Sequence, residues 1–219
     1  IHSSIEEKEY LEIARKLQAD NKDVFALINV GGIQPLKNQI LLLNALKNYR
    51  RRRKIKVVFV GEIVEKNYYD KLVAKSREIQ NDSVNVEFKG ALSRIETINE
   101  ICAADCVVIT SLSEGMSIVA AEALFLGKPL LAVEVGVIPE AVIDGKNGFI
   151  IRPPTPETLK EKIEILSSDA GLYNNLSGNC NESYYYVFSM RKFLDLHKSV
   201  INEAIKYKDK QFIRKTQCR

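Results

Sequence analysis

Two glutamates eight residues apart, Glu114 and Glu122, mark the stretch of this chain whose residue types could do chemistry. Glu122 is the only charge between Glu114 and Lys128, in a run of small and apolar residues that reads as a largely buried helix. A carboxylate there costs free energy unless something satisfies it. A structural hydrogen bond or fixed ion pair would do so. So would a cleft in which Glu122 accepts hydrogen bonds from ligand hydroxyls. Glu114 lies in the polar loop before this helix. Gly115, Met116 and Ser117 form the expected helix N-terminus, where unpaired backbone N–H groups and the macrodipole attract anions. Helical side chains lean toward the N-terminus, so the Glu122 carboxylate can point back to the same mouth. Two hydroxyl acceptors around an anion cradle suit a nucleotide sugar, which carries sugar hydroxyls, a diphosphate and a ribose.

The elements that must position these groups alternate in type. Val24–Val30 reads as a first strand, followed by Gly31-Gly32 and a helix from about Leu36 to Tyr49. The glycines let backbone pass close to a ligand, or simply serve a strand-to-helix turn. Ile55–Gly61 reads as a second strand, Tyr68–Gln80 as a helix and Val84–Phe88 as a third strand. Ser93 and Glu96 have capping-box spacing for a helix reaching about Ala103. The run Cys106–Ile109 suits a buried parallel strand, and a helix over 116–126 is stopped by Gly127 and Pro129. Leu130–Val133, a short helix after Gly136, a strand at 147–151 and a helix from Pro156 to Leu166 complete the pattern. Six strand–helix alternations predict an α/β, Rossmann-like, three-layer domain with a parallel sheet of about six strands. Ligands of such sheets bind beyond the carboxyl ends of the strands, where Glu114 falls. Residues 1–20 read as an N-terminal helical segment or linker, 21–168 as the nucleotide-sugar-binding domain, and 169–219 as a C-terminal helical tail with a helix over Val187–Tyr207.

The segment Ser-x-x-Glu114-Gly-Met-Ser…Glu122-Ala-x-x-x-Gly-Lys-Pro resembles the signature of retaining GT-B glycosyltransferases, family 4 in particular. In that family it lies in the C-terminal, donor-binding half of the fold. The resemblance implies a transferase that moves a sugar from a nucleotide diphosphate to an acceptor with retained anomeric configuration. It implies UDP- or GDP-linked donors and an acceptor glycan or lipid bound through a separate N-terminal domain, without which the isolated domain turns over little. Glu114 and Lys37 become the catalytic pair. Lys37 and the amides of Gly115, Met116 and Ser117 hold the diphosphate, Glu114 the donor sugar and Glu122 the ribose. Gly31 and Gly32 line the phosphate end. The loop after Gly90 lines the base pocket, with Leu92 as its apolar contact or as a core residue. Gly136-Val137-Ile138-Pro139-Glu140 resembles a further family segment. The family has an arginine where this chain has Gly32. That departure supports a second expectation, a catalytically inactive nucleotide-sugar-binding or assembly module.

Composition narrows the field further. The chain has 219 residues, 46% hydrophobic and 27% charged, and a net charge of +4, a balance that by itself calls for no nucleic acid. No apolar run reaches the about 18 residues of a membrane span. Ile1 in place of Met predicts a piece of a longer chain or a processed product. Gly31-Gly32-Ile-Gln is not the Gly-x-Gly-x-x-Gly of a nicotinamide site, and no P-loop is present. No Asp-x-Asp pair or zinc-site spacing appears, so neither a metal nor another cofactor is expected beyond the donor substrate. Cys102 and Cys106 are expected as buried free thiols, which suits a reducing cytoplasm. The basic run Arg50–Lys54 reads as a solvated cluster at a helix end, or as a peripheral contact to anionic lipid.

Overall fold

The computed structural model describes residues 23–50, 53–188 and Lys198. Six parallel strands, β1 (Val24–Val30), β2 (Lys54–Val60), β3 (Val84–Gly90), β4 (Cys106–Ile109), β5 (Leu130–Val133) and β6 (Gly148–Ile151), form one sheet in the order β3-β2-β1-β4-β5-β6. The doubly wound α/β architecture expected from the alternation is therefore present. Between them run α1 (Gln39–Ala45), α2 (Lys66–Ile79), α3 (Arg94–Ala103), α4 (Ile118–Phe125) and α5 (Ile138–Ala141). After the sheet come α6 (Pro156–Ser168) and α7 (Ala170–Val187).

The strands β4 (CVVI) and β5 (LLAV) are buried at every position, because helices cover both sheet faces. One face packs Phe25, Val57 and Phe59 against Leu42 of α1, Leu72 of α2 and Leu159 and Ile163 of α6. The other packs Ile28, Val107 and Ile109 against Ile98 of α3, Leu124 and Phe125 of α4 and Ile138 of α5. Each fully buried Leu, Ile or Phe contributes about 1.5–3 kcal/mol, which outweighs the weak intrinsic stability of helices as short as α4. α7 joins both faces, with Leu176 in the first and Cys180 and Tyr184 in the second. The expected boundary at 168 thus falls between two helices that share one core.

Three expectations are corrected. The continuous helix over 36–49 is instead a 3-10 turn, Pro35–Lys37, and the shorter α1. Asn38 separates them with φ 48°, a left-handed conformation that Asn tolerates better than most residues. Consequently the described residues of the basic run, Arg50, Arg53 and Lys54, do not sit at a helix end. Lys54 starts β2, and Arg53 is folded inward, its Nη1 donating to the Ser167 carbonyl at 3.0 Å and its guanidinium 5.0 Å from the Phe25 ring centroid. Arg51 and Arg52 lie outside the described residues. The helix expected over 116–126 starts at Ile118, because the Ser117 side chain caps it by accepting from the Ala120 amide at 3.3 Å. In the C-terminal segment the described helix is Ala170–Val187, while most of the expected 187–207 helix, like the segment 1–20, lies outside the described residues.

Candidate functional site

In the strand order, chain direction across the sheet reverses between β1 and β4, which pair at Leu27–Cys106 and Ile28–Val107. Loops leaving the two strands diverge to opposite faces there and open a crevice at the carboxyl ends. A cleft of about 210 Å³ occupies this point, with Asn29, Lys37, Ser111, Glu114, Met116 and Ser117 in its lining.

Its polar wall is built from both sides of the reversal. Lys37, on the 3-10 turn after β1, places Nζ 2.7 Å from Glu114 Oε1. Ser111 Oγ donates to the same carboxylate oxygen at 2.7 Å. Both charged side chains are largely withdrawn from water, at 24% and 16% exposure, so this charge-assisted bond is stronger than a surface pair. The Lys37 stem lies over Gly31, where a Cβ would stand 3.3 Å from Lys37 Cε. Beneath the pair, buried Asn29 donates from Nδ2 to the Val108 carbonyl at 2.8 Å, and buried Thr110 donates from Oγ1 to the Lys37 carbonyl at 2.7 Å. Among the described residues, the amides of Gly115, Met116 and Ser117 donate no hydrogen bond and remain available to an anion. Gly136 closes the back of the loop. At φ 53° it packs so closely that a Cβ would lie 2.3 Å from the Gly115 carbonyl oxygen, and Val137 donates its amide to that oxygen at 3.1 Å.

The structure brings Lys37, Glu114, Met116 and Ser117 into one cleft, with Gly115 in the same loop. It does not bring Glu122 or Leu92 into that lining. Glu122 is 7% exposed on α4 and faces the start of α3, with Oε1 3.6 Å from Nη2 of Arg94. Both readings of this residue thus have a footing: it has an ion-pair partner, but a long one. Leu92 is half-buried against the core. The full capping box at Ser93 and Glu96 fixes this start of α3. Gly31 and Gly32 lie in close loop packing, while a Cβ on Gly90 would meet nothing within 4 Å. A Cβ on Gly61 would stand 2.0 Å from the Gly31 carbonyl oxygen, Gly90 accepts from the Gly61 amide at 2.8 Å, and a Cβ on Gly32 would press on Val64 Cγ2 at 2.8 Å. Sequence reasoning passed over Asn29, Thr110 and Ser111. Asn29 left a signal, as the only polar residue in the apolar run of β1.

Burial raises the Glu122 pKa, and Arg94 opposes the shift only in part. A carboxyl group with a raised folded pKa adds stability below its unfolded pKa, and that stability is lost as pH rises through the folded value. Glu122→Gln is therefore expected to melt higher than wild type at neutral pH, with the gain disappearing below about pH 4, the range of an unfolded Glu. Thermal denaturation followed by circular dichroism at both pH values checks this. A lower melting temperature at pH 7 would show that the Arg94 pair outweighs desolvation. Elsewhere, Cys102, Cys106 and Cys180 are buried free thiols whose pKa values burial raises, which makes them packing groups. No helix among the described residues is long and apolar enough to cross a membrane.

Comparison with known proteins finds relatives of one family. The family described as glycosyl transferases group 1 matches residues 11–182. An uncharacterized glycosyltransferase of Methanocaldococcus jannaschii is 31% identical over 153 residues, covering 70% of this chain and 41% of that protein. The D-inositol 3-phosphate glycosyltransferase of Streptomyces bingchenggensis is 30% identical over 164 residues, covering 70% of this chain and 35% of that protein. The chain thus spans less than half the length of these curated relatives. The crystal structure of Anabaena HepE in complex with UDP superposes with a TM-score of 0.74, covering 90% of this chain and 55% of that one at 22% identity, and so shares the fold.

Proposed function

Because the chain belongs to the glycosyl transferases group 1 family, we propose that it is the donor-binding half of an enzyme that transfers a sugar from a nucleotide diphosphate to an acceptor with retention of configuration. The observation that carries this reading is the cleft at the β1/β4 reversal, walled by a cation and a carboxylate 2.7 Å apart. Lys37 turns from Glu114 to the diphosphate, and the amides of Gly115 to Ser117 meet the same oxygens. Negative charge grows on the diphosphate as the glycosidic bond breaks, so donors aimed there favour the transition state over the ground state. Glu114, freed of Lys37, accepts from hydroxyls of a hexosyl group. Glu122 takes the ribose, with Arg94 moving aside. The UDP held by HepE supports a UDP donor, with a GDP-linked sugar as the other candidate. The acceptor, a glycan or lipid, is met through an N-terminal domain. The protein works in the cytoplasm, peripherally at the membrane where the acceptor is a lipid, and the donor chemistry runs on these side chains without a metal.

Calorimetric titration of the chain with UDP, GDP and ADP tests the proposal. One of them is expected to bind saturably, and Lys37→Ala should weaken it about tenfold or more, as loss of a charge-assisted bond to phosphate does. Binding indifferent to Lys37→Ala, or no binding even by the full-length protein, overturns the donor site.

One observation favours a second reading, a binding or assembly module without turnover. Gly32 stands where the family has an arginine, and Val64 fills the space beside it so that even a Cβ would lie 2.8 Å from Val64 Cγ2. A full-length protein that binds the nucleotide sugar but neither transfers nor hydrolyses it would favour this alternative.

A further inference from the structure

Lys37 does not stand on a helix. It ends a single 3-10 turn, held by its amide donating to the Gln34 carbonyl at 3.0 Å. In a continuous helix the Lys37 carbonyl would accept from the Leu41 amide. Here the left-handed Asn38 interrupts the ladder, and the Leu41 amide donates to the Asn38 carbonyl at 3.0 Å instead. The helix break leaves the Lys37 carbonyl in need of another donor, and a protein interior seldom leaves such a group unpaired. Thr110, 1% exposed at the end of β4, supplies it through Oγ1 at 2.7 Å across 73 residues of chain. Its hydroxyl is steadied in turn by Asn29 Nδ2 at 3.5 Å, and the Leu112 amide donates to the Leu36 carbonyl at 2.8 Å, a second tie between the same two loops.

We infer that Thr110 is a positioning residue for the donor diphosphate: its buried hydroxyl anchors the Lys37 backbone to β4 and so sets where the ammonium group stands relative to the Gly115–Ser117 amides. The inference rests on the donor-site reading of the same cleft. The loop that carries those amides begins at Thr110 itself, so this side chain, alongside the Leu112–Leu36 backbone bond, sets the spacing between the cation on one side of the reversal and the amides on the other. Without the hydroxyl, the Lys37 carbonyl loses its donor, and the turn keeps only the Leu36 carbonyl's backbone bond to this loop, one residue before the lysine. A lysine on a loosened turn still carries its charge but spends less time where the phosphate needs it.

The test is a double-mutant cycle read by UDP titration of the full chain. Thr110→Val, which keeps the shape and removes the donor, should weaken UDP about tenfold, within reach of one buried hydrogen bond. Thr110→Ser should return affinity to within about twofold of wild type, since it restores the donor. In a Lys37→Ala background Thr110→Val should change affinity less than twofold, because it acts through Lys37, and contacting groups couple in this way. A general structural role would instead weaken UDP equally in both backgrounds. If Thr110→Val does not fold, Thr110→Ala takes its place in the cycle. Equal losses in both backgrounds, failure of serine to rescue, or full affinity in Thr110→Val while Lys37→Ala is weakened each overturn the positioning role and leave the donor site standing. Full affinity in Lys37→Ala overturns the donor site, and this inference with it.

Discussion

Gly136→Ala is expected to abolish measurable nucleotide diphosphate binding and to melt well below wild type, while Gly145→Ala does neither. The two glycines share a left-handed backbone, φ 53° at Gly136 and φ 75° at Gly145. An L-residue in that region costs of order 1 kcal/mol, so both substitutions begin with a similar penalty. Their surroundings differ. A Cβ at Gly145 meets nothing within 4 Å, whereas one at Gly136 lies 2.3 Å from the Gly115 carbonyl oxygen and 2.5 Å from that of Glu114. Those oxygens belong to the backbone of residues 114–116, so relief requires that backbone to move. That segment carries the carboxylate paired with Lys37 and includes the Gly115 and Met116 amides offered to the phosphate. The Val137 amide, which donates to Gly115 at 3.1 Å, would move with it. The combined destabilisation should reach about 3 kcal/mol, adding displacement of packed backbone to the strain. Circular dichroism melts and UDP titration of both variants check this. Undiminished UDP binding by folded Gly136→Ala would show that the α4 loop does not touch the donor.

Most of the fold was legible because its signals are local and consistent. Cys106–Ile109 and Leu130–Val133 are short, wholly apolar and bounded by turn residues, which in an α/β chain leaves little besides a central parallel strand. Ser93 with Glu96 announced the start of α3 at the residue where it occurs. The helix over 36–49 failed for an equally local reason. Apolar periodicity runs on from Leu36 through Leu46, and nothing in that pattern shows that Asn38 has left the helical region. Only the tolerance of Asn for the left-handed conformation hinted at it, and that break is what frees the Lys37 carbonyl for Thr110.

The site was legible by parts but not as an assembly. Glu114 and the 115–117 amides could be placed from their own loop, since loop and helix start are contiguous. The partnership of Lys37 with Glu114 spans 77 residues and exists because β1 and β4 are neighbours in the sheet, a fact of topology. Asn29 and Val108 meet across 79 residues for the same reason. Glu122 shows how direction, rather than distance along the chain, limits such a reading. Its place on α4 could be read from the helical pattern, but that α3 would set Arg94 3.6 Å from its carboxylate, outside the lining of the cleft between β1 and β4, depends on how the helices pack. Gly31 and Gly61 follow the same rule. Gly61 admits the Gly31 backbone and Gly31 admits the Lys37 side chain, so their smallness serves the seating of the lysine before any ligand arrives.

Glu114→Ala should push binding and turnover in opposite directions. In the free protein Glu114 occupies Lys37 at 2.7 Å and sets a negative charge on the wall of a cleft meant for phosphate. Both effects oppose a nucleotide diphosphate. Removing the carboxylate releases the ammonium group and lifts the repulsion, so UDP alone should bind this chain more tightly, by up to about tenfold, the scale of one charge-assisted hydrogen bond exchanged for another. The Ser111 hydroxyl, which donates to the same oxygen at 2.7 Å and is only 3% exposed, loses its acceptor but can accept from the released Lys37 ammonium group, so the loop should hold at a modest cost. Transfer by the full-length enzyme should nevertheless fall by about a hundredfold or more, the usual loss when a polar group acting on the reacting sugar is removed. Such opposition separates a residue that reads the sugar from one that reads the diphosphate. Lys37→Ala, by contrast, should weaken UDP and slow transfer together. If Glu114→Ala weakens UDP as Lys37→Ala does, the carboxylate orients the lysine for phosphate rather than engaging the sugar. If transfer is undiminished, Glu114 has no part in the reaction. Tighter UDP binding with transfer lost would show that the Lys37–Glu114 pair is the resting form of a donor site, opened by the diphosphate on one side and the sugar hydroxyls on the other.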